Sequence, residues 1–265
     1  MLANFGIGTL APAAARSGGK QAQLLGCRIV APAALPPFRR IGDASDAMAS
    51  GQQHQQAATR APSRLYLVTP PLADPQAAAA VLGPALGAAE VAAVLLRLAA
   101  ADERTLVNRI KEIAPMVQAR GAALLVEGHA GLAARAGADG AHLSGIAAVK
   151  EAIEALKPER IVGAGGLASR HDAMLAAEAG ADYIMFGEPD AAGKRPSFEA
   201  IRERVEWWAE VFEIPCVAHA ASLGEIGELA AAEFIALGPE ILSDPRGPAA
   251  AVADAAARLA AEMLA

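Results

Sequence analysis

Cysteine is nearly absent. Cys27 and Cys216 are the two in 265 residues, far apart and in unlike contexts, which argues against a disulfide framework or a thiolate zinc site and points to a reducing, cytoplasmic setting. Aromatic residues make up only 4% of the chain and the net charge is -6. There is no basic field to gather nucleic acid and no stacking signature to read it, so no nucleic-acid partner is expected. A long uninterrupted apolar run is also missing. The most apolar stretch, Gln76 to Leu98, is broken by Gly83-Pro84, Gly87 and Glu90, short of the roughly 18 residues a membrane span requires. No membrane partner is expected.

What is abundant is small and aliphatic. With 54% apolar residues and few aromatics, the core must be alanine, valine, leucine and isoleucine packed between closely approaching helices and strands. A helix-to-strand phrase recurs. Ala136-Gly-Ala-Asp139 precedes Gly140-Ala-His-Leu143, Ala179-Gly-Ala-Asp182 precedes Tyr183-Ile-Met-Phe186, and a degenerate copy, Ala231-Ala-Glu233, precedes Phe234-Ile-Ala-Leu237. Gly137 and Gly180 stand where a helix ends in the left-handed conformation, which costs other residues roughly 1–2 kcal/mol. The copies are about two βα units apart, as they would be on alternate strands of a (β/α)8 barrel.

Eight short apolar runs follow from Arg64 onward: Leu65 to Val68, Val91 to Leu96, Ala123 to Val126, Gly140 to Leu143, Ile161 to Gly163, Tyr183 to Phe186, Cys216 to Ala218, and Phe234 to Leu237. Helical stretches separate them, among them Asp102 to Arg120, with Ile110, Ile113 and Val117 on one face, and Ser197 to Phe212 with a serine N-cap. The expected fold class is α/β, a TIM barrel forming a single domain over residues 64–265. Residues 1–60 differ. They are rich in alanine, glycine, proline and glutamine, carry five basic residues before the first acid, Asp43, and contain the linker-like Gly51 to Gln56. A low-complexity disordered arm, a transit segment and a reading frame extended upstream of Met48 all fit that composition.

Barrels of this kind build their sites at the C-terminal strand ends, often holding phosphate after strands seven and eight. The polar residues there are Thr69, Arg97, Glu127, His129, His142, Ser144, Glu188 and His219. His129 and His219, with Glu127 and Glu188, form a candidate acid/base or metal cluster. His142 stands at the same rim, but its stronger reading is an internal hydrogen-bonding residue of the barrel. Gly165, Gly166 and Ser169 precede a helix and offer an anion cradle, with the loop from Gly163 to Ser169 providing the turn. Trp207 and Trp208 are adjacent on one helix and cannot both face the core; the other has a homodimer partner or the N-terminal arm to cover.

Several of these segments together resemble the thiamine phosphate synthase family and its TenI relatives. They are Leu65-Tyr-Leu-Val-Thr69, Val94-Leu-Leu-Arg97, Ala138-Asp-Gly-Ala-His-Leu143, Ala181-Asp-Tyr183 with Phe186-Gly187, and Ile214-Pro215. The resemblance covers about Arg64 to Ala265. It implies a transferase of thiamine biosynthesis that joins hydroxymethylpyrimidine diphosphate to a thiazole phosphate with loss of pyrophosphate. It also implies a small phosphorylated molecule as ligand, Mg²⁺ as cofactor, Arg97 in the catalytic set, and Lys194 as the remainder of a phosphate-binding loop. The chain departs from that pattern at many points. The strand-two motif keeps only Arg97, the position of one metal aspartate is Gly128, that of the other is Ala147, and the phosphate-gripping glycines after strand seven are Ala220-Ala221. Glu127 and Glu188 are the carboxylates left to stand in as metal ligands. A barrel that binds a small-molecule phosphate without turning it over is the alternative these departures raise.

Overall fold

The structure, a computed structural model, describes residues 62–262 apart from 191. The low-complexity arm, Cys27 and the glutamine-rich linker lie outside the described residues. The eight strands are β1 Arg64–Val68, β2 Val91–Leu96, β3 Ala123–Glu127, β4 Gly140–Ser144, β5 Ile161–Gly165, β6 Tyr183–Phe186, β7 Cys216–Ala220 and β8 Phe234–Leu237. They close in chain order into a parallel barrel, β1 pairing with both β2 and β8. The helices between them are α1 Pro75–Ala88, α2 Glu103–Gln118, α3 Ala130–Ala136, α4 Ile146–Leu156, α5 Arg170–Ala179 and α6 Phe198–Val211. After β8 come α7 Pro239–Leu242 and α8 Pro248–Glu262. Each predicted strand is present, and β3, β4, β5 and β7 run further than the apolar pattern alone indicates.

Between β7 and β8 the regular rhythm lapses. Two single-turn 3-10 helices, Leu223–Glu225 and Gly227–Leu229, replace a full helix. The local sequence Ser-Leu-Gly-Glu-Ile-Gly-Glu carries two glycines, each roughly 1 kcal/mol worse than alanine in a helix interior.

Strand residues alternate between two cores. Leu65, Leu67, Val94, Leu96, Leu124 and Val126 pack in the layer shared with the helices. Their neighbours Tyr66, Val68, Leu95 and Leu125 are buried inside the barrel, as the two-residue period requires. On α2, Ile110, Ile113 and Val117 are fully buried against the sheet, and Asp102 caps its N-terminus through Thr105 N. Trp208 is buried, with Nε1 donating to Ile214 O at 2.7 Å. Trp207 is half-buried under the Arg170 guanidinium, 4.7 Å from its ring centroid.

The repeated phrase has a common job at the base of the barrel. Gly137 (φ 79) and Gly180 (φ 108) end their helices in the left-handed region. Each acid that follows reaches back to the preceding strand: Asp139 Oδ2 accepts from Leu124 N and Asp182 Oδ2 from Val162 N, both at 2.7 Å. The degenerate third copy does the same with a longer side chain, Glu233 Oε2 accepting from Cys216 N at 2.9 Å. A carboxylate on an edge amide is a charge-assisted bond. It pins three strand pairs at the face away from the active-site end.

Candidate active site

At the C-terminal strand ends the interior turns polar. Tyr66 and Tyr183 point inward from β1 and β6, their hydroxyls 3.0 Å apart. Tyr183 Oη lies 2.9 Å from His142 Nδ1, and His142 Nε2 lies 3.1 Å from Glu188 Oε2. Four side chains thus form one hydrogen-bonded line across the barrel. Nε2–H donates to the carboxylate, and the two hydroxyls and Nδ1 pair along the rest of the line in a direction set by the imidazole's protons.

β5 makes room for this line. Its inward positions are Gly163 and Gly165; a Cβ on Gly163 would collide with the Tyr183 ring, and one on Gly165 with the Glu188 carboxylate and His142 Nε2, all closer than 3.0 Å. Burial alone would raise the pKa of Glu188. The charge and hydrogen bond of His142, the charge of His219 and the Gly166 amide outweigh it and hold the carboxyl below its usual range. Tyr66 and Tyr183 are pushed up, chiefly by burial, so both remain neutral donors.

His219, on β7, is 3% exposed and its Nδ1 has no hydrogen-bond partner. Burial, then the Arg195 charge, pushes its pKa down. Arg195 braces this side: Nη1 and Nη2 each reach Glu225 at 2.8 Å, Nη2 also donates to His219 O at 2.6 Å, and Nε donates to Gly187 O at 3.0 Å. Desolvation raises Glu225, but the Arg195 hydrogen bond and the Ala221 amide prevail and its pKa is lowered.

On the opposite side, Arg97 Nε donates to Glu127 Oε2 at 3.0 Å, with side-chain exposures of 35% and 36%. A pair that open adds little stability; its effect is to fix the guanidinium. Thr69 Oγ1 accepts from Arg97 N at 3.1 Å and holds the backbone as well. Among the described residues, neither terminal nitrogen of Arg97 is engaged in a hydrogen bond.

The remaining candidates lie apart from the buried line. His129 is the exposed N-cap of α3 and makes no capping bond. Ser169 is spent on a capping box with Asp172, at 3.1 Å and 3.0 Å. β5 extends through Gly165, so the loop expected from Gly163 begins two residues later, and Glu188 rather than an open cradle fronts Gly165 and Gly166. Lys194 is exposed. With Arg204, Arg195, Glu188 and Gly166 it lines a cavity of about 390 Å³. Sequence reading missed Tyr66, Tyr183, Arg195 and Glu240. Both tyrosines sit in segments that resemble the family, but nothing in the local sequence marks them as touching.

Among the described residues no group of three or more His, Cys, Asp or Glu side chains is placed to hold a metal. Gly128 and Ala147 stand where the family resemblance reserves aspartates, Glu127 is taken by Arg97, and Glu188 is taken by His142. The residues present do not fit a protein-held Mg²⁺. No described helix is long and apolar enough to cross a membrane.

A closed (β/α)8 barrel with a polar interior line and an arginine, histidines and acids at its C-terminal rim has the layout in which barrels commonly build small-molecule sites. The family model described as thiamine monophosphate synthase matches residues 65–240. The chain is 42% identical to thiamine-phosphate synthase of Rhodospirillum centenum over 196 residues, 72% of this chain and 95% of that protein. It is 36% identical to thiamine-phosphate synthase of Hyphomonas neptunium over 204 residues, 72% of this chain and 90% of that one. Thiamine phosphate pyrophosphorylase from Pyrococcus furiosus superposes with a TM-score of 0.62 at 21% identity, covering 75% of this chain and 96% of that one, a likeness of fold. The chain belongs to the thiamine monophosphate synthase family. It is a thiamine phosphate synthase-like protein of thiamine biosynthesis.

Proposed function

We propose that the chain is a transferase acting on the substrates its family resemblance implies, a pyrimidine diphosphate and a thiazole phosphate, with Arg97 holding the phosphate that leaves. The observation that carries this is the Arg97–Glu127 pair. Glu127 takes Nε and Thr69 fixes the backbone, so the guanidinium is positioned before any ligand arrives and its terminal nitrogens remain for phosphate oxygens. Developing charge on a departing diphosphate is what such a preorganised cation stabilises. Lys194 and Arg204 line a separate cavity past β6 together with Arg195 and Glu188. Glu127 is a positioning residue in this reading.

The second reading is a barrel that binds the phosphate without turnover. It is favoured by Gly128 and Ala147 at the aspartate positions and by Glu188 in front of the Gly165–Gly166 turn. Losing one transition-state stabiliser costs about 10²–10³ in rate, and here several are absent together. Calorimetric titration with pyrophosphate and thiazole phosphate, followed by an assay of pyrophosphate release from both substrates, separates the two. Binding that Arg97→Ala weakens at least tenfold, together with release, supports the transferase. Binding without release selects the second reading. No binding of either ligand overturns both.

A further inference from the structure

Arg97 stands just beyond the end of β2 and past Leu96, the last residue that β2 pairs with β3. Its backbone is held instead by the loop that follows β1. Thr69 Oγ1 accepts from Arg97 N at 3.1 Å, and Leu72 N donates to Arg97 O at 2.8 Å. Ala99 N then donates to Leu72 O at 2.9 Å, and Leu72 and Leu98 form an isolated parallel bridge. The two loops are thus laced together at the rim as a short extension of β1 and β2.

Packing holds this lacing only in part. Leu72 is buried in the core, but Pro70 and Pro71 bring no amide protons to the loop, and on its α1 side the segment from Thr69 to Asp74 borders an apolar cavity of about 330 Å³. A further hold comes from Arg109 of α2, whose Nη1 donates to Ala99 O at 2.7 Å and to Leu72 O at 3.3 Å. Local sequence puts it there. Arg109 falls between Leu106 and Ile110, at the margin of the stripe that α2 buries against the sheet, and helical side chains lean toward the helix N-terminus, which here lies at the rim. Among the described residues Arg109 has no carboxylate partner. Its guanidinium is engaged by two carbonyls, and both belong to the lacing.

We propose that Arg109 is a positioning residue for phosphate binding: it locks the loops after β1 and β2 together and so fixes Arg97, without touching the ligand. This rests on the proposed function for Arg97 itself. The connection is short. Arg109 holds the Leu72 carbonyl, the Leu72 amide holds the Arg97 carbonyl, and Glu127 holds Nε at the far end of the same residue. Backbone and side chain of Arg97 are therefore set independently, and a guanidinium fixed at both ends has less freedom to lose when it binds. Removing Arg109 takes a charged donor from two carbonyls and lets the β1 loop shift toward the cavity, carrying the Arg97 backbone with it.

The test is calorimetric titration of the full-length protein with pyrophosphate, with amide hydrogen exchange read on the same variants. Arg97→Ala weakens binding at least tenfold and Arg109→Ala at least threefold. The double variant binds within twofold of Arg97→Ala alone, because Arg109 acts only through Arg97. In Arg109→Ala the Leu72 and Ala99 amides exchange at least fivefold faster, while the Val162 amide at the base of the barrel stays within twofold. Arg109→Gln keeps much of the half-buried stem and removes the reach, so it gives the same readings where Arg109→Ala fails to fold. The inference is overturned if the Arg109 variants leave affinity within twofold while Arg97→Ala weakens it, or if Leu72 and Ala99 exchange at unchanged rates. It is also overturned if the two losses add, as they would were Arg109 touching the ligand or only supporting the fold. Pyrophosphate binding that Arg97→Ala does not weaken overturns the proposed function instead, and the exchange rates then decide the lacing by themselves.

Discussion

His142 Nε2 lies 3.1 Å from Glu188 Oε2, although 46 residues separate them in the chain. This contact is the mouth-side end of the Tyr66–Tyr183–His142–Glu188 line, and the most specific expectations concern that line.

Tyr183→Phe removes the hydroxyl that joins Tyr66 to His142 and keeps the ring. Two buried polar groups lose a partner at once, so stability is expected to fall by about 1–3 kcal/mol. Tyr66→Phe breaks one bond at the end of the line and costs less. Urea unfolding of both variants gives the comparison; equal losses would show that the hydroxyls do not act as a connected line.

Gly163→Ala places a methyl group against the Tyr183 ring. Overpacking of that kind costs about 1–3 kcal/mol, and the ring cannot retreat because its hydroxyl is held at both sides. The paired variant Gly163→Ala/Tyr183→Leu gives the methyl group space. Its loss is expected to be smaller than the sum of the two single losses, a coupling that a double-mutant cycle in urea reads directly.

Asp182→Ala frees the Val162 amide and the Lys157 ammonium at the base of the barrel. Stability is expected to fall by about 1–3 kcal/mol, while pyrophosphate affinity stays within twofold, because the clasp and the mouth are at opposite ends of the strands. A large change in affinity at unchanged stability would contradict the division between a stabilising base and a functional rim.

The folded-state pKa of His219 is depressed below its unfolded value. The sign follows: below the unfolded value of about 6.5 the unfolded chain takes up a proton that the folded chain resists, so stability falls as pH drops through that range. Chemical denaturation at pH 7.5 and about pH 5.5 should show a loss that His219→Gln reduces. Glu188, whose folded pKa is also depressed, adds a loss at lower pH, beginning near the ordinary carboxylate range. An unchanged slope in His219→Gln would mean that the imidazole titrates freely in the fold.

Local pattern reached some site residues and not others for a geometric reason. Glu127 ends β3 and faces inward, two residues after Leu125, as strand alternation requires. His129 is two residues further on. The intervening Gly128, at φ 71, turns the chain out of the strand, so the alternation lapses and His129 takes the N-cap position of α3 with its imidazole in solvent, making no capping bond. Ser169 was read as an anion ligand from its place before a helix; the Asp172 three residues later claims it first, a local competition the capping-box spacing records.

Local physics written into short segments determined the scaffold. Helix-ending glycines, acids at strand starts and two-residue alternation each act within a few residues, and together they specify eight βα steps and which face of each strand is buried. Arg97 was legible because a charge directly after an apolar strand has only the rim to occupy. Only barrel closure decided the rest. It brings Tyr66, His142, Tyr183 and Glu188 from three strands and a loop into one line, lets two glycines on β5 be the space that line fills, and sets Glu225 to neutralise Arg195. Those pairings depend on distances across the barrel, which no segment encodes by itself.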